Sequence, residues 1–238
     1  TQASSEGAVL REVKRLGLEF DFVYGHFFLN GGLSAAKIGK VLSIPSFVAY
    51  GECDYNTEIK YQYRDLRKKD VSSFSGIIAV STKNANELKS KKIFDGIPMI
   101  ICPNATDHSI FYVKDKNSCR DKFGLDHDKF IVGFVGGFIE RKGDKRVLEA
   151  INSIDGVYGI FAGRGEVKPS GDKVLFCDGL RHEDVCDFLC AADVFCLPTL
   201  GEGSCNAVVE AMSCGKAIIS SDLEFNDDAL NDENSIRI

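Results

Sequence analysis

The chain has 238 residues, 44% hydrophobic and 27% charged, with a formal net charge of −6. That balance is of an ordinary soluble globular protein, long enough for one large domain or two small ones. It argues against a general nucleic-acid binder, and no apolar run reaches the length of a membrane-spanning helix.

Thr1–Leu16 reads as a helix that feeds a first strand at Asp21–Phe27. Further strands are expected at Ser46–Tyr50, Gly76–Val80 and Pro98–Cys102, with helices at Gly32–Val41, Thr57–Lys69 and Lys83–Lys91 between them. The polar stretch Tyr112–His127 reads as a joint. A second series then has strands at Phe130–Val135, Tyr158–Ala162, Lys173–Cys177, Val194–Leu197 and Ala217–Ser220, and helices at Lys142–Ile151, Glu183–Ala191 and Asn206–Met212. Strands apolar throughout and joined by helices mean parallel sheets covered on both faces. Two doubly wound α/β lobes are therefore expected, at residues 1–112 and 113–238. Their charges differ: the first holds 14 Lys+Arg against 12 Asp+Glu, the second 15 against 23. Such asymmetry fits lobes with different partners. A doubly wound lobe begins with a strand and a glycine-rich turn, and "NSIRI" stops on a strand, so the chain is expected to be an interior piece of a longer one.

The nine cysteines are scattered, form no C-x-x-C pair, and have no histidine at zinc-ligand spacing. They read as reduced thiols serving as small hydrophobes in a cytoplasmic protein.

Ligands of open parallel sheets bind beyond the carboxyl ends of the strands. Three segments of the second lobe fall there. "GFVGGFIERKG" places Gly136 and Gly137 after a strand, then Arg141 and Lys142 where a helix is expected to open. Glycines let backbone approach an anion, and a helix start with two cations suits a diphosphate; a plain turn with a solvated helix start is the alternative. "GIFAGRGE" is a second strand-to-glycine turn, equally readable as a simple loop. The third segment, "PTLGEGSCNAVVEAM", sets Glu202 on a loop with Gly203, Ser204 and Cys205, and Glu210 one turn into a helix that starts near Asn206, a good N-cap residue. Free N–H groups at that helix start suit phosphate or sugar oxygens. A carboxylate accepts two hydrogen bonds at once, which suits vicinal hydroxyls such as those of ribose.

The stretch "PTLGEGSCNAVVEAMSCGKAIISSD" closely resembles the signature of family 4 glycosyltransferases: a glutamate, seven residues, a second glutamate, then an alanine-methionine and cysteine-glycine pattern. "VGGFIERKG", "FCDGLRHEDVCDFLCAADVFCLPT", "ICPNATDHSIF" and "FVYGHFFLNGGLSA" resemble, in order, their first glycine turn, the segment before the glutamates, the inter-lobe link and a histidine-bearing strand end. The resemblance implies a GT-B fold, two Rossmann-like lobes facing a cleft. It implies a retaining enzyme that moves a hexose-type sugar from a UDP or GDP donor to a saccharide or lipid-linked acceptor, without a metal, in surface polysaccharide or glycolipid synthesis. By resemblance, Glu210 holds ribose hydroxyls, Glu202 the donor sugar, and the amides of Gly203 to Asn206 sugar and phosphate. Lys142 neutralises the diphosphate, and His26 faces the donor sugar; a histidine satisfied at the end of a buried strand is the alternative for His26.

Two departures stand out. The family often has an arginine directly after the first turn's glycine, where this chain has Gly137, and Arg141 is expected to compensate. The family's first glycine-rich loop and its C-terminal crossing helix are not in this sequence. The helix carrying "KYQYRDLRKK" (Lys60–Lys69) reads first as a solvated basic surface, with peripheral contact with an anionic membrane face as the alternative. Two rival readings are a nucleotide-sugar epimerase on the same architecture and a nucleotide-sugar-binding piece without turnover.

Overall fold

The computed structural model describes residues 2–53, 73–92 and 94–238. The helix expected at Thr57–Lys69, with its basic stretch, lies outside them. Contacts divide the chain into two units, Thr1–Pro103 with Glu202–Ser204, and Asn104–Gly201 with Cys205–Ile238.

The first unit is built on a parallel sheet of order β1-β2-β3-β4: Val23–His26, Ser46–Tyr50, Gly76–Ala79 and Met99–Ile101. Helices α1 (Gln2–Leu16), α2 (Leu33–Leu42) and α3 (Thr82–Lys91) accompany it. Its core gathers Phe28, Phe74 and Phe94, whose ring centroids lie 5.2–6.4 Å apart, with Val48, Ile77 and Leu88. The first strand is shorter than expected. Phe27 turns out of it in the left-handed region (φ 60°), and Phe27–Gly32 forms a π-helix before α2 begins. Left-handed backbone is costly for an aromatic residue, and π turns concentrate at functional sites.

The second unit has six parallel strands, β5 (Phe130–Val135), β6 (Val157–Ala162), β7 (Val174–Asp178), β8 (Val194–Leu197), β9 (Ala217–Ser220) and β10 (Ser235–Arg237), in the order β10-β9-β8-β5-β6-β7. The chain starts at β5, runs outward to β7, then crosses to β8 and runs the other way. That is the doubly wound order, and its reversal point lies between β5 and β8. Helices α4 (Lys116–Phe123), α5 (Asp144–Ser153), α6 (His182–Ala191) and α7 (Asn206–Ser213) complete the unit. Phe134, Phe161, Phe188 and Phe195 are wholly buried in its core, together with Cys190 and Cys214.

The polar stretch Tyr112–His127 is not where contacts part the chain. It contains α4, which packs on α6, and it delivers Cys119 and Leu125 to the second core beside Phe111. Arg120 looks like surface in the sequence but is wholly buried. Its guanidinium donates to the carbonyls of Ala191 (3.0 Å), Asp126 (3.3 Å) and His127 (2.6 Å) and pairs with Asp193 Oδ2 at 2.7 Å. Polarity there reflects one buried charge with a full set of partners, not a linker.

Candidate functional site

The strand ends at the β5/β8 reversal lead into two segments, the turn 136–143 and the loop 198–201. They are tied to each other. Arg141 donates from Nη1 to the Gly201 carbonyl, Leu200 N donates to Arg141 O at 2.8 Å, and Arg146 Nη2 donates to Pro198 O at 2.9 Å. Gly143 sits in the left-handed region (φ 85°), and a Cβ there would press on Arg146 and on Pro198 O. Glycine is needed at that position for both reasons.

This corrects the expected helix start. Arg141 and Lys142 do not open a helix; they lie in the turn before it, Gly143 is the N-cap, and α5 begins at Asp144. Arg141 therefore directs Nη1 at the neighbouring loop. Lys142 is held by the turn through its amide, which donates to Ile139 O at 2.9 Å, and its Cδ lies over Gly136. Gly136 and Gly137 both have ordinary backbone angles. The strict steric demand falls on Gly163, in the second glycine turn, where any Cβ would run into the Gly136 carbonyl.

The loop after β8 also rests on a buried polar network. Ser220 Oγ donates to Leu197 O at 2.9 Å and Ser221 Oγ to Thr199 O at 2.6 Å; Asn226 Nδ2 donates to Ser220 Oγ (3.1 Å) and Ser221 O (2.7 Å). These residues hold the loop's first half in place. The sequence reading missed them, although "ISSD" directly after an apolar strand was a signal for buried hydroxyls.

Helix α7 follows the loop. Its N-cap is Cys205, which makes no side-chain cap bond. Asn206 is the first helical residue and not the cap: its exposed side chain accepts from Asn104 Nδ2 at 2.8 Å through Oδ1. The segment before α4 is fastened to the other end of the same helix, where Ser213 Oγ lies 2.7 Å from His108 Nδ1 and donates to Phe111 O at 2.6 Å. Glu210 stands one turn into α7 with only 16% of its side chain exposed. Burial pushes its carboxyl above the ordinary range, while His182, whose Nε2 lies 3.9 Å away, pulls the other way. His182 opens α6 and meets Phe111 edge to face at 5.3 Å. It lies in "FCDGLRHEDV", a stretch already singled out but given no residue role.

An acid with a raised folded pKa lowers stability once ionised. The cost is absent below its unfolded pKa and complete above the folded one. Glu210→Gln is therefore expected to raise the thermal midpoint at neutral pH, with the gain shrinking towards zero as pH falls to about 4. Melting curves over a pH series check this; a gain independent of pH rejects it.

In the first unit His26 closes β1 and caps the π-helix. Its ring is exposed, with Nδ1 3.2 Å from the Tyr24 hydroxyl and its centroid 4.4 Å from that of Phe27. The alternative of a histidine satisfied in a buried strand end is thus not what the fold builds. The turn after it is closely packed, since a Cβ on Gly25 or Gly31 would collide with the opposite backbone. A buried acid holds the turn: Glu52 accepts from Phe28 N at 2.5 Å and Gly51 N at 3.0 Å. Nothing in the sequence around Glu52 pointed to that role. Glu202, Gly203 and Ser204 group with this unit, whereas Gly136, Gly137, Arg141, Lys142, Cys205, Asn206 and Glu210 belong to the other.

Comparison with known proteins matches residues 129–237 to the family model "Glycosyl transferases group 1". The teichuronic acid biosynthesis glycosyltransferase TuaC of Bacillus subtilis is 29% identical over 223 residues, covering 91% of this chain and 57% of its own length. The D-inositol 3-phosphate glycosyltransferase of Mycobacteroides abscessus is 25% identical over 174 residues, 66% of this chain and 39% of its own. The chain thus spans about half the length of these curated relatives. Among solved structures, the sucrose-phosphate synthase of Thermosynechococcus elongatus superposes with a TM-score of 0.79 at 19% identity, over 100% of this chain and 64% of that one. HepE of Anabaena, solved in complex with UDP-glucose, superposes with a TM-score of 0.79 at 17% identity, over 98% of this chain and 67% of that one. The two parallel-sheet α/β units are of GT-B type, and the second of them resembles the group 1 glycosyltransferases over residues 129–237.

Proposed function

We propose that the protein is a retaining glycosyltransferase that moves a hexose-type sugar from a nucleoside diphosphate, UDP or GDP, to a hydroxyl of a saccharide or lipid-linked saccharide. In this reading Glu210 grips the ribose hydroxyls and Glu202 those of the donor sugar. The amides from Gly203 to Asn206 meet sugar and phosphate oxygens at the positive end of α7. Lys142 neutralises the departing diphosphate, with Gly136 and Gly137 letting backbone approach it. His26 faces the donor sugar. The protein's share of the chemistry is positioning and charge stabilisation.

The observation that carries the reading is the pair of interlocked segments at the β5/β8 reversal, with the start of α7 and the half-buried Glu210 beside them. UDP-glucose in the Anabaena neighbour supports a uridine donor, and the name of the Bacillus relative, a teichuronic acid biosynthesis glycosyltransferase, supports a saccharide acceptor. Labelled UDP-glucose and GDP-mannose, each with and without acceptor saccharides, test the proposal: transfer with the configuration retained is expected, and an inverted product rejects it. Nucleotide binding with neither transfer nor hydrolysis instead favours a donor-binding piece without turnover, a reading that the partial span of the relatives keeps in view.

Arg141 has a positioning role in this scheme. Arg141→Ala releases the tie to Gly201 and is expected to weaken donor binding about tenfold, the scale of a lost charge-assisted hydrogen bond. An unchanged calorimetric affinity rejects this role.

A further inference from the structure

Three cysteines that the proposed reaction does not use converge beneath α7. Cys186 and Cys190 lie one turn apart on α6, on one face of that helix. Cys214 is the C-cap of α7, the helix that carries Glu210. Their sulfurs all lie within 4.8 Å of one another, and Cys214 Sγ is 3.7 Å from Cys186 Sγ. All three are buried. Cys186 and Cys190 each direct a thiol to Tyr112 O at 3.4 Å. Sequence spacing hid the group, because α7 and its loop separate the third sulfur from the first two.

Metal–thiolate bonds of about 2.3 Å around a single ion place three sulfurs roughly 4 Å apart. The 3.7 Å between Cys214 and Cys186 and the 4.8 Å limit on the other separations are close to this. The donor set is three sulfurs and one carbonyl oxygen, which matches neither of the sulfur–nitrogen sets of closed structural zinc sites. It suits soft ions that accept three thiolates. We propose that Cys186, Cys190 and Cys214 bind one soft, thiolate-seeking metal ion, of the class that Cu(I) and Cd(II) represent, which pins the end of α7 to α6. Binding replaces the three thiol protons, which pass to solvent, so affinity rises with pH. One feature eases the charge change: the Lys216 ammonium lies beside the group, donating to the carbonyls of Cys190 (3.3 Å) and Ala192 (3.1 Å). Cys119 lies close enough to be influenced by Cys186 and Cys190, but its sulfur is outside the group, and burial pushes its thiol up to about 11.

The test uses the reduced full chain, refolded from urea with Cd(II) so that the buried site can load, and then freed of excess ion. One retained cadmium per chain is expected, with thiolate-to-cadmium charge-transfer absorbance and a raised thermal midpoint. Cys186→Ala and Cys214→Ala should each lose the absorbance and weaken cadmium binding by at least about tenfold, the lower end of what mutating even an outer-shell partner of a metal site costs. Cys102→Ala, at an exposed thiol, should change neither. Circular dichroism establishes that each variant is folded, and if one is not, the other decides. No retained cadmium in the wild type, or absorbance persisting in a folded Cys186→Ala or Cys214→Ala chain, overturns the proposal and leaves the three thiols as packing groups.

Discussion

Arg120→Met is expected to cost the second unit about 3 kcal/mol of unfolding free energy, the lower end of the range for breaking a buried ion pair. The side chain is wholly buried and makes four hydrogen bonds, three of them to carbonyls, one of which, that of Ala191, belongs to a buried residue. Methionine fills much of the volume, so the loss comes from the unpaired carbonyls and the stranded Asp193 charge rather than from a cavity. The estimate stays at the low end because Asp193 keeps Lys116 at 2.8 Å and the amide of Ile131 at 2.8 Å. Burial raises the Asp193 carboxyl, but Lys116, Ile131 N and the Arg120 charge together hold it below the ordinary range. Its contribution is therefore present above its unfolded pKa and is lost as pH falls through the folded one. Urea unfolding at neutral pH measures the loss, and Asp193→Asn supplies a second, milder test of the same pair. A loss under about 1 kcal/mol, the net worth of one ordinary hydrogen bond, would mean that the buried guanidinium is not structural.

Glu210→Ala is expected to weaken nucleotide binding roughly 10- to 100-fold, because it removes two hydrogen bonds to a charged acceptor, each side of a ribose diol. The same change should not destabilise the free protein as a core truncation would. The carboxyl is already disfavoured by burial, so its removal relieves one cost while it creates another. Affinity and stability thus move apart, which distinguishes a ligand-gripping acid from a structural one. Calorimetry with UDP and GDP, run beside thermal melts, reads both. Wild-type affinity in the Glu210→Ala chain would sink the ribose assignment. Glu202→Ala should act differently, impairing nucleotide-sugar binding more than nucleotide binding, since its assigned partner is the sugar.

The alternation of apolar strands and helices was readable because a strand buried on both faces must be apolar throughout, and because helices must cover it. Ser46–Tyr50, Phe130–Val135, Val194–Leu197 and Ala217–Ser220 appear in the fold with the bounds read from the sequence. The place of Glu210 one turn into a helix was legible because the run around it is apolar at helical spacing, a local feature of the chain.

What failed was non-local. The start of α5 was placed two residues early, since nothing local shows that Gly143 must bend left-handed beneath Pro198. Asn206 looked like an N-cap until Asn104 was found to occupy its side chain. The polar run around Arg120 resembled a linker because a buried charge and an exposed one are spelled alike; only the partners supplied by Ala191, Asp193 and His127 distinguish them. The sequence by itself determined the fold class and the placing of Glu210 in a helix, through local periodicity. Tertiary structure alone decided the strand order that sets the turn after β5 beside the loop after β8, the buried acid behind His26, and the meeting of three sulfurs from two helices. Each of those depends on which distant segments pack together, and packing free energy comes from contacts that no short window of sequence contains.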